Sequence, residues 1–375
     1  MAKFALDIGR ANVKVYCPTP NGARGLKQFG MPSIVAVINR EVWERDSNGG
    51  LPPDGFIQIG KRYYVVGERA KQYGGDYKME TSRLTSPDFY LPLLMYSLAM
   101  STENGSESKP IQLILGLTYS SGDYKASKQM KSFLLADRPD AKNESLVRSC
   151  VTRRGVSYFN FVRNDISLFD EPFGTLSYLL WDELGQPRKD AGLRESLLIL
   201  DNGGHTIDVV PVHSSGGLTG RIYSPQLSQV QSLREGVLTY QAGLWQELRE
   251  AHWSKLKDMV QDPDQYKLDE ILRTGQIVYG TTAIDVSAIT NRRKMAMAAA
   301  IYENLRGYSP LDYGQIFLTG GGSHFIFKEI ARRLPDFDVR LAMSDTADQS
   351  TIQFVNARGV ARLLAAVYGG QQVGG

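Results

Sequence analysis

Short apolar runs of strand character alternate with stretches of helical periodicity along the whole chain, which predicts an α/β class. Phe4–Leu6 and Val13–Tyr16 read as a hairpin across a turn of small residues. Between residues 30 and 75 the polar, Gly- and Pro-rich stretch Asp46–Gly55 reads as an exposed loop. A helical pattern over Tyr90–Met100 precedes the apolar run Ile111–Leu117, which reads as a buried parallel strand. A helix is predicted over Tyr124–Leu135, then strands over 148–152 and 156–163, then a helix opening at Glu171-Pro172, where proline suits the first turn and the chain is expected to cross between domains. The second half repeats this logic, with an apolar run Ser196–Leu200 ending in Asp201, and helices over 235–251, 265–274 and 285–306. A strand Ile316–Thr319 then enters glycines ahead of a helix over Phe325–Leu334, and a last helix over Asn356–Val367 precedes a glycine-rich tail.

At 375 residues the chain suits two domains, each with its own core. Hydrophobic residues at 42% and charged residues at 22% are those of a globular protein, and no stretch approaches the roughly 20 apolar residues of a membrane span. Met1–Asp7 reaches an acid before a signal-peptide apolar region could form, so a cytoplasmic location is expected. Cys17 and Cys150 are too few for a disulfide framework, and His205, His213, His252 and His324 lack metal-ligand spacing. A net charge of +3, with bases scattered among acids, does not indicate direct nucleic-acid binding.

The candidate chemistry lies in a repeat. Asp7-Ile8-Gly9-Arg10-Ala11-Asn12-Val13-Lys14-Val15 aligns without a gap on Asp201-Asn202-Gly203-Gly204-His205-Thr206-Ile207-Asp208-Val209. Each is a strand, an Asp-x-Gly turn and a returning strand, which suggests two related halves. Glycine lets backbone N–H groups approach phosphate oxygens where a Cβ would obstruct, and carboxylates at strand ends suit a hydrated hard cation. A single such turn is an ordinary hairpin; two in one register make a polyphosphate grip the better reading. A third element, Leu318-Thr319-Gly320-Gly321-Gly322-Ser323, is a strand end entering a glycine turn before a helix, where ligands sit in open α/β sheets. Neither Gly-x-x-x-x-Gly-Lys-Ser/Thr nor Gly-x-Gly-x-x-Gly occurs.

Together these segments resemble the phosphate-1, phosphate-2 and adenosine motifs of the actin-like, sugar-kinase and heat-shock chaperone superfamily, over nearly the whole chain. The first turn and Met31-Pro32-Ser33-Ile34-Val35-Ala36 resemble prokaryotic actin-like proteins of the plasmid-segregation (ParM) and archaeal types. The resemblance implies an actin-like fold, with two duplicated ribonuclease H-like domains around a nucleotide cleft, each carrying a smaller inserted subdomain. Domain I would span 1–178, with a lobe at about 30–80 and a C-terminal helix at 350–375 returning to it; domain II would span 179–349, with a lobe at about 225–285.

The resemblance also implies ATP (or GTP) with Mg2+. Gly9, Arg10, Ala11, Asn12 and Lys14 would contact phosphate from the first turn, and Gly203, Gly204, His205, Thr206 and Asp208 from the second. Gly236 would lie beside the ribose, and Gly320, Gly321, Gly322 and Ser323 at the base or α-phosphate. Asp7 and Asp201 would hold the metal through water, and Glu171 would place the hydrolytic water, with Asp170 the adjacent alternative. Glu171 is also a favourable helix-start carboxylate, and Asn356–Gly359 matches the second crossing, a hinge. His205 stands where relatives carry a small or hydroxyl residue, and no purine motif is assignable between Leu268 and Thr282.

The implied function is an ATPase that polymerises head to tail, serving plasmid or DNA segregation through a DNA-binding adaptor, or cytoskeletal organisation. Two alternatives stand beside it. One is a filament-free assembly or scaffold ATPase; the other is a small-molecule kinase, which would need an acceptor-side aspartate that no motif here supplies.

Overall fold

A computed structural model describes residues 2–9, 12–17, 27–77, 82–102, 109–119, 124–136, 143–188, 192–204, 206–215, 222–233, 236–256, 265–279, 281–343 and 349–368. The chain divides into two compact units, Met1–Ala191 with Asn356–Gly375, and Gly192–Val355.

The first unit opens with strands β1 (Ala2–Ile8), β2 (Asn12–Cys17), β3 (Lys27–Pro32) and β4 (Ile34–Ile38), then helix α1 (Arg40–Ser47). Strands β5 (Phe56–Ile59), β6 (Arg62–Val66) and β7 (Asp76–Tyr77) follow, then helices α2 (Ser82–Thr85) and α3 (Pro87–Ser101). Next come β8 (Ile111–Tyr119), α4 (Tyr124–Leu135), β9 (Ser145–Thr152), β10 (Gly155–Val162), β11 (Ile166–Asp170) and α5 (Glu171–Leu180). Among the described residues these strands form one sheet of order β3-β2-β1-β8-β10-β9-β5-β6-β4-β7, with β11 also pairing β8. β1 runs antiparallel to β2 and parallel to β8, and β11 is parallel to β8.

The second unit contains β12 (Ser196–Asn202), β13 (Ile207–Ser215), β14 (Ile222–Pro225), β15 (Gln231–Leu233), α6 (Val237–Leu256), α7 (Gln265–Thr274), β16 (Gln276–Tyr279) and β17 (Thr282–Asp285). It ends with α8 (Ser287–Leu305), β18 (Gln315–Thr319), α9 (Ser323–Arg333) and β19 (Asp338–Leu341). Its main sheet has the order β14-β13-β12-β18-β19, with β15 also on β13. β12 is antiparallel to β13 and parallel to β18, which is parallel to β19. The relations of β3-β2-β1-β8-β11 thus recur as β15-β13-β12-β18-β19. Helix α10 (Val355–Tyr368) lies, from Asn356 onward, in the first unit.

Strand alternation decides which residues face which layer. Phe4, Leu6, Ile8, Val13, Val15, Leu115 and Leu117 join the core containing α3 and α4, whereas Ala5, Tyr16 and Ile114 pack with Ala357, Val360, Ala361 and Leu364 of α10. By the same alternation Asp7, Lys14 and Thr118 belong to the α10 face. In the second unit Leu198, Leu200, Ile207, Val209, Ile316 and Leu318 face a core with Met297, Ile301, Ile326 and Ile330. Asp201, Asp208 and Thr319 therefore stand on the face away from that core.

Two local elements differ from the sequence reading. Asp46 and Ser47 belong to α1 instead of a loop, because Asn39 caps its start by accepting from the Val42 N–H at 2.9 Å and Asn48 closes it in the left-handed conformation. The helix predicted over 235–251 runs on to Leu256, through a break in helical geometry at His252.

Candidate functional site

The first turn joins β1 to β2. The Gly9 N–H donates to the Asn12 carbonyl at 3.1 Å, and a Cβ on Gly9 would lie only 2.9 Å from that same oxygen. Ser33 Oγ donates to the Gly9 carbonyl at 2.7 Å, fixing the turn from β3's end. Arg10 and Ala11 lie outside the described residues. Asn12 is the first residue of β2, and Lys14 stands directly opposite Asp7, its Nζ donating to Asp7 Oδ2 at 2.8 Å. Asp7 Oδ1 is buried without a hydrogen-bond partner among the described residues.

The second turn repeats the first. The Gly203 N–H donates to the Thr206 carbonyl at 3.0 Å, and a Cβ on Gly203 would lie 3.1 Å from that oxygen. Gly204 sits in the turn, and His205 lies outside the described residues. Asp208 stands opposite Asp201, in the place that Lys14 holds opposite Asp7. Asp208 accepts from Thr206 Oγ1 at 3.1 Å and from Ser232 Oγ of β15.

The third glycine segment folds onto the second turn. Gly320 has φ +84°, and a Cβ there would lie 2.4 Å from Asp201 Oδ1, so both conformation and space demand glycine. The Gly322 N–H donates to the Asn202 carbonyl at 3.1 Å, and the Val237 N–H to the Gly203 carbonyl at 3.0 Å. Gly236, buried beside Val237, is thereby joined to the same cluster. Gly321 is more open: among the described residues, a Cβ there would meet only the Gln353 Cβ, at 3.8 Å. Ser323 begins α9 and donates to the Thr319 carbonyl. The second unit thus gathers Asp201, Gly203, Asp208, Gly236 and Gly320–Ser323 at the carboxyl ends of β12 and β18.

Reading across the sheets, the row Gly30–Lys14–Asp7–Thr118–Phe169 in the first unit matches Ser232–Asp208–Asp201–Thr319 in the second. Residues in register on neighbouring strands share a face, so each aspartate has a threonine beside it. Both hydroxyls are buried and lack a hydrogen-bond partner among the described residues. The sequence reading missed these two. Each closes an apolar run, which is ordinary for a strand, and only the parallel register sets it beside the aspartate.

Three comparisons with known proteins bear on the fold. Residues 5–153 match the family model described as the actin like proteins N terminal domain. A crystal structure of an archaeal actin homolog superposes with a TM-score of 0.70 at 21% identity, over 98% of this chain and 100% of that one. The fold is actin-like. A 15-stranded ParM filament from Clostridium botulinum gives 0.66 at 15% identity, over 99% of both chains. Bacillus thuringiensis ParM with ATP gives 0.64 at 14%, over 99% of this chain and 100% of that one. No curated protein sequence matches the chain.

Within this actin-like fold, Glu171 is the first residue of α5 and partly exposed, whereas Asp170 is buried at the end of β11. Asp170 is in register with Tyr119, whose phenol is pushed up to about 12 by burial and then by that neighbouring carboxylate. In the second unit, His324 follows Ser323; burial holds its imidazole down to about 4, so it is neutral near pH 7. Asp269 of α7 is pushed up to about 6 by burial, although Arg273 pulls the other way.

The donor set suits magnesium better than a protein-caged metal. No group of three or more His, Cys, Asp or Glu converges among the described residues. Magnesium keeps most of its waters and takes one or two carboxylates plus phosphate oxygens, and a partnerless buried carboxylate oxygen on Asp7 fits such a hydrated ion. No helix among the described residues is long and apolar enough to cross a membrane.

Proposed function

We propose that this chain binds a nucleoside triphosphate with Mg2+ through its two glycine turns, hydrolyses it, and assembles head to tail into nucleotide-dependent filaments. The observation that carries the reading is the duplicated row. Two turns of the same backbone geometry each place an aspartate, a returning strand and a buried threonine in one register. Support for the nucleotide comes from the similar ParM structure with ATP, and for self-association from the similar ParM filament. Residues 1–178 and 179–349 are assigned to the two actin-like domains, with lobes at about 30–80 and 225–285 and the helix at 350–375 returning to the first.

In this mechanism the turns at Gly9 and at Gly203 and Gly204 let the backbone come close to phosphate oxygens, and Gly320–Ser323 with Gly236 take the nucleoside side. Lys14, already held by Asp7, brings a positive charge to the terminal phosphates. Asp7 and Asp201 would hold the cation through water, and the cation would neutralise charge on the transferring phosphoryl group. Glu171 orients the attacking water and accepts its proton as the new oxygen–phosphorus bond forms and the bond from the γ-phosphorus to the β–γ bridging oxygen breaks, releasing the diphosphate. Loss of the γ-phosphate removes part of the binding to both turns, so the nucleotide state becomes a conformational signal to filament contacts. The cellular use we assign is plasmid or DNA segregation through an adaptor, or cytoskeletal organisation, in the cytoplasm.

The test is sedimentation and negative-stain imaging of purified protein with ATP, GTP, ADP and no nucleotide, alongside phosphate release. Polymers that require triphosphate are the expected result. Steady hydrolysis by monomers at high protein concentration would replace the filament with a scaffold role, and phosphoryl transfer to a panel of sugars or acids would replace hydrolysis with kinase activity.

A further inference from the structure

Two buried hydroxyls stand at corresponding places in the two halves. Thr118, 2% exposed, neighbours Asp7 on the parallel strand; Thr319, 1% exposed, neighbours Asp201 in the same relation. Neither Oγ1 has a hydrogen-bond partner among the described residues. A buried hydroxyl left without a partner costs stability, and a valine of the same shape would fill either strand position without that cost. The penalty is accepted twice, each time one strand away from an aspartate at a strand end. Neighbouring strands are about 4.8 Å apart, close enough for one water to touch both the carboxylate and the hydroxyl. A threonine hydroxyl can donate to and accept from such a water, whereas a carboxylate only accepts.

We propose that Thr118 and Thr319 are positioning residues, each holding a water of the hydration shell of the divalent cation that accompanies the nucleotide. The inference rests on the nucleotide reading above and adds two residues to it. Each hydroxyl orients the water that its neighbouring aspartate accepts from, so the carboxylate contributes without direct coordination. Outer-shell groups of this kind set metal affinity while leaving the ligand's own contacts in place.

The experiment compares wild type with Thr118→Val, Thr319→Val, Thr118→Ser and Thr319→Ser. Equilibrium ATP affinity is measured by titration calorimetry with excess Mg2+ and again with EDTA, and the melting temperature of the free protein is recorded. Each valine variant should lose about tenfold in Mg2+-supported affinity. Its affinity in EDTA should stay at the wild-type value, and its melting temperature should hold or rise. The serine variants should recover most of the loss, because they restore the hydroxyl. An equal loss with and without Mg2+, no loss at all, or failure of serine to rescue a stably folded variant would overturn the proposal. A wild type that binds no nucleotide would instead remove the nucleotide reading, and this one with it.

Discussion

Asp201 and Asp208 stand directly opposite one another on β12 and β13, where the matching positions of the first half hold Asp7 and Lys14. Like charges opposed across a strand pair are destabilising by about 0.2–1 kcal/mol. A cation nearby turns that cost into an attraction. Asp208→Asn should therefore raise the stability of the nucleotide-free protein by about 0.5 kcal/mol, while weakening Mg2+-dependent ATP binding. Urea denaturation without ligand and calorimetry with Mg2+ and ATP measure the two effects. A variant destabilised without ligand would show that Asp208's bonds from Thr206 and Ser232 matter more than the charge opposition.

Gly359 of α10 makes a second demand on the sequence, one of space. A Cβ there would lie 1.7 Å from the Gly174 carbonyl oxygen, and one on Gly174 would lie 2.6 Å from the Asn356 carbonyl oxygen, so α5 and α10 meet backbone to backbone. Thr175 Oγ1 donates to Asn356 Oδ1 at 2.6 Å beside this crossing. Gly359→Ala forces the helices apart and should cost about 3 kcal/mol, read as a lower urea midpoint. Ala361→Gly, on the same helix but without that contact, should cost only about 1 kcal/mol.

Local pattern and long-range packing differ in how far the sequence alone discloses them. Long, strongly periodic segments declared themselves: the helix expected over Tyr124–Leu135 has those bounds, as does the one over 265–274. So did the hairpins, since Asp7 and Lys14 are seven residues apart across a short turn and register follows from the turn. Short strands did not. β11 and β19 have five and four residues and carry Asp or Arg, and β14 and β15 are shorter than one helical period can distinguish. Thr118 and Thr319 were invisible for another reason. A threonine in a strand is ordinary, and only the parallel register of β1 with β8 and of β12 with β18 sets them beside the aspartates.

Two partly buried titrating groups of the second unit should oppose each other in the pH dependence of stability. Asp269, raised from 3.8 to about 6 by burial, keeps its proton in the folded state where the unfolded chain has lost it, so its contribution falls as pH rises through 4–6. His324, lowered from 6.5 to about 4 by burial, stays neutral where the unfolded chain is protonated, so its contribution grows as pH rises through 4–6.5. The two nearly cancel in the wild type. Each corresponds to about 3 kcal/mol at full extent. Relative to wild type, Asp269→Asn should gain stability progressively from pH 4 to pH 6 and hold the gain above it. His324→Gln should lose its relative advantage over the same span. Urea denaturation of the nucleotide-free proteins at half-unit pH steps provides the check; parallel curves for all three would remove both assignments.

Asp170 and Glu171 are adjacent carboxylates in different surroundings. Asp170 ends β11, is 3% exposed and stands beside Tyr119, while its side chain does not cap α5. Glu171 opens α5, and partial exposure leaves it able to meet a water. A general base must be reachable by water, and the partly exposed Glu171 meets that condition. Glu171→Ala should slow phosphate release by about a hundredfold, within the usual range for loss of a general base, with ATP affinity nearly unchanged. Asp170→Asn should lower the melting temperature while leaving turnover per bound nucleotide close to that of wild type. Single-turnover phosphate release, with affinity measured separately, divides the two roles. If Asp170→Asn abolished turnover and Glu171→Ala left it intact, the water would belong to the buried carboxylate, and α5 would supply only the dipole that polarises it.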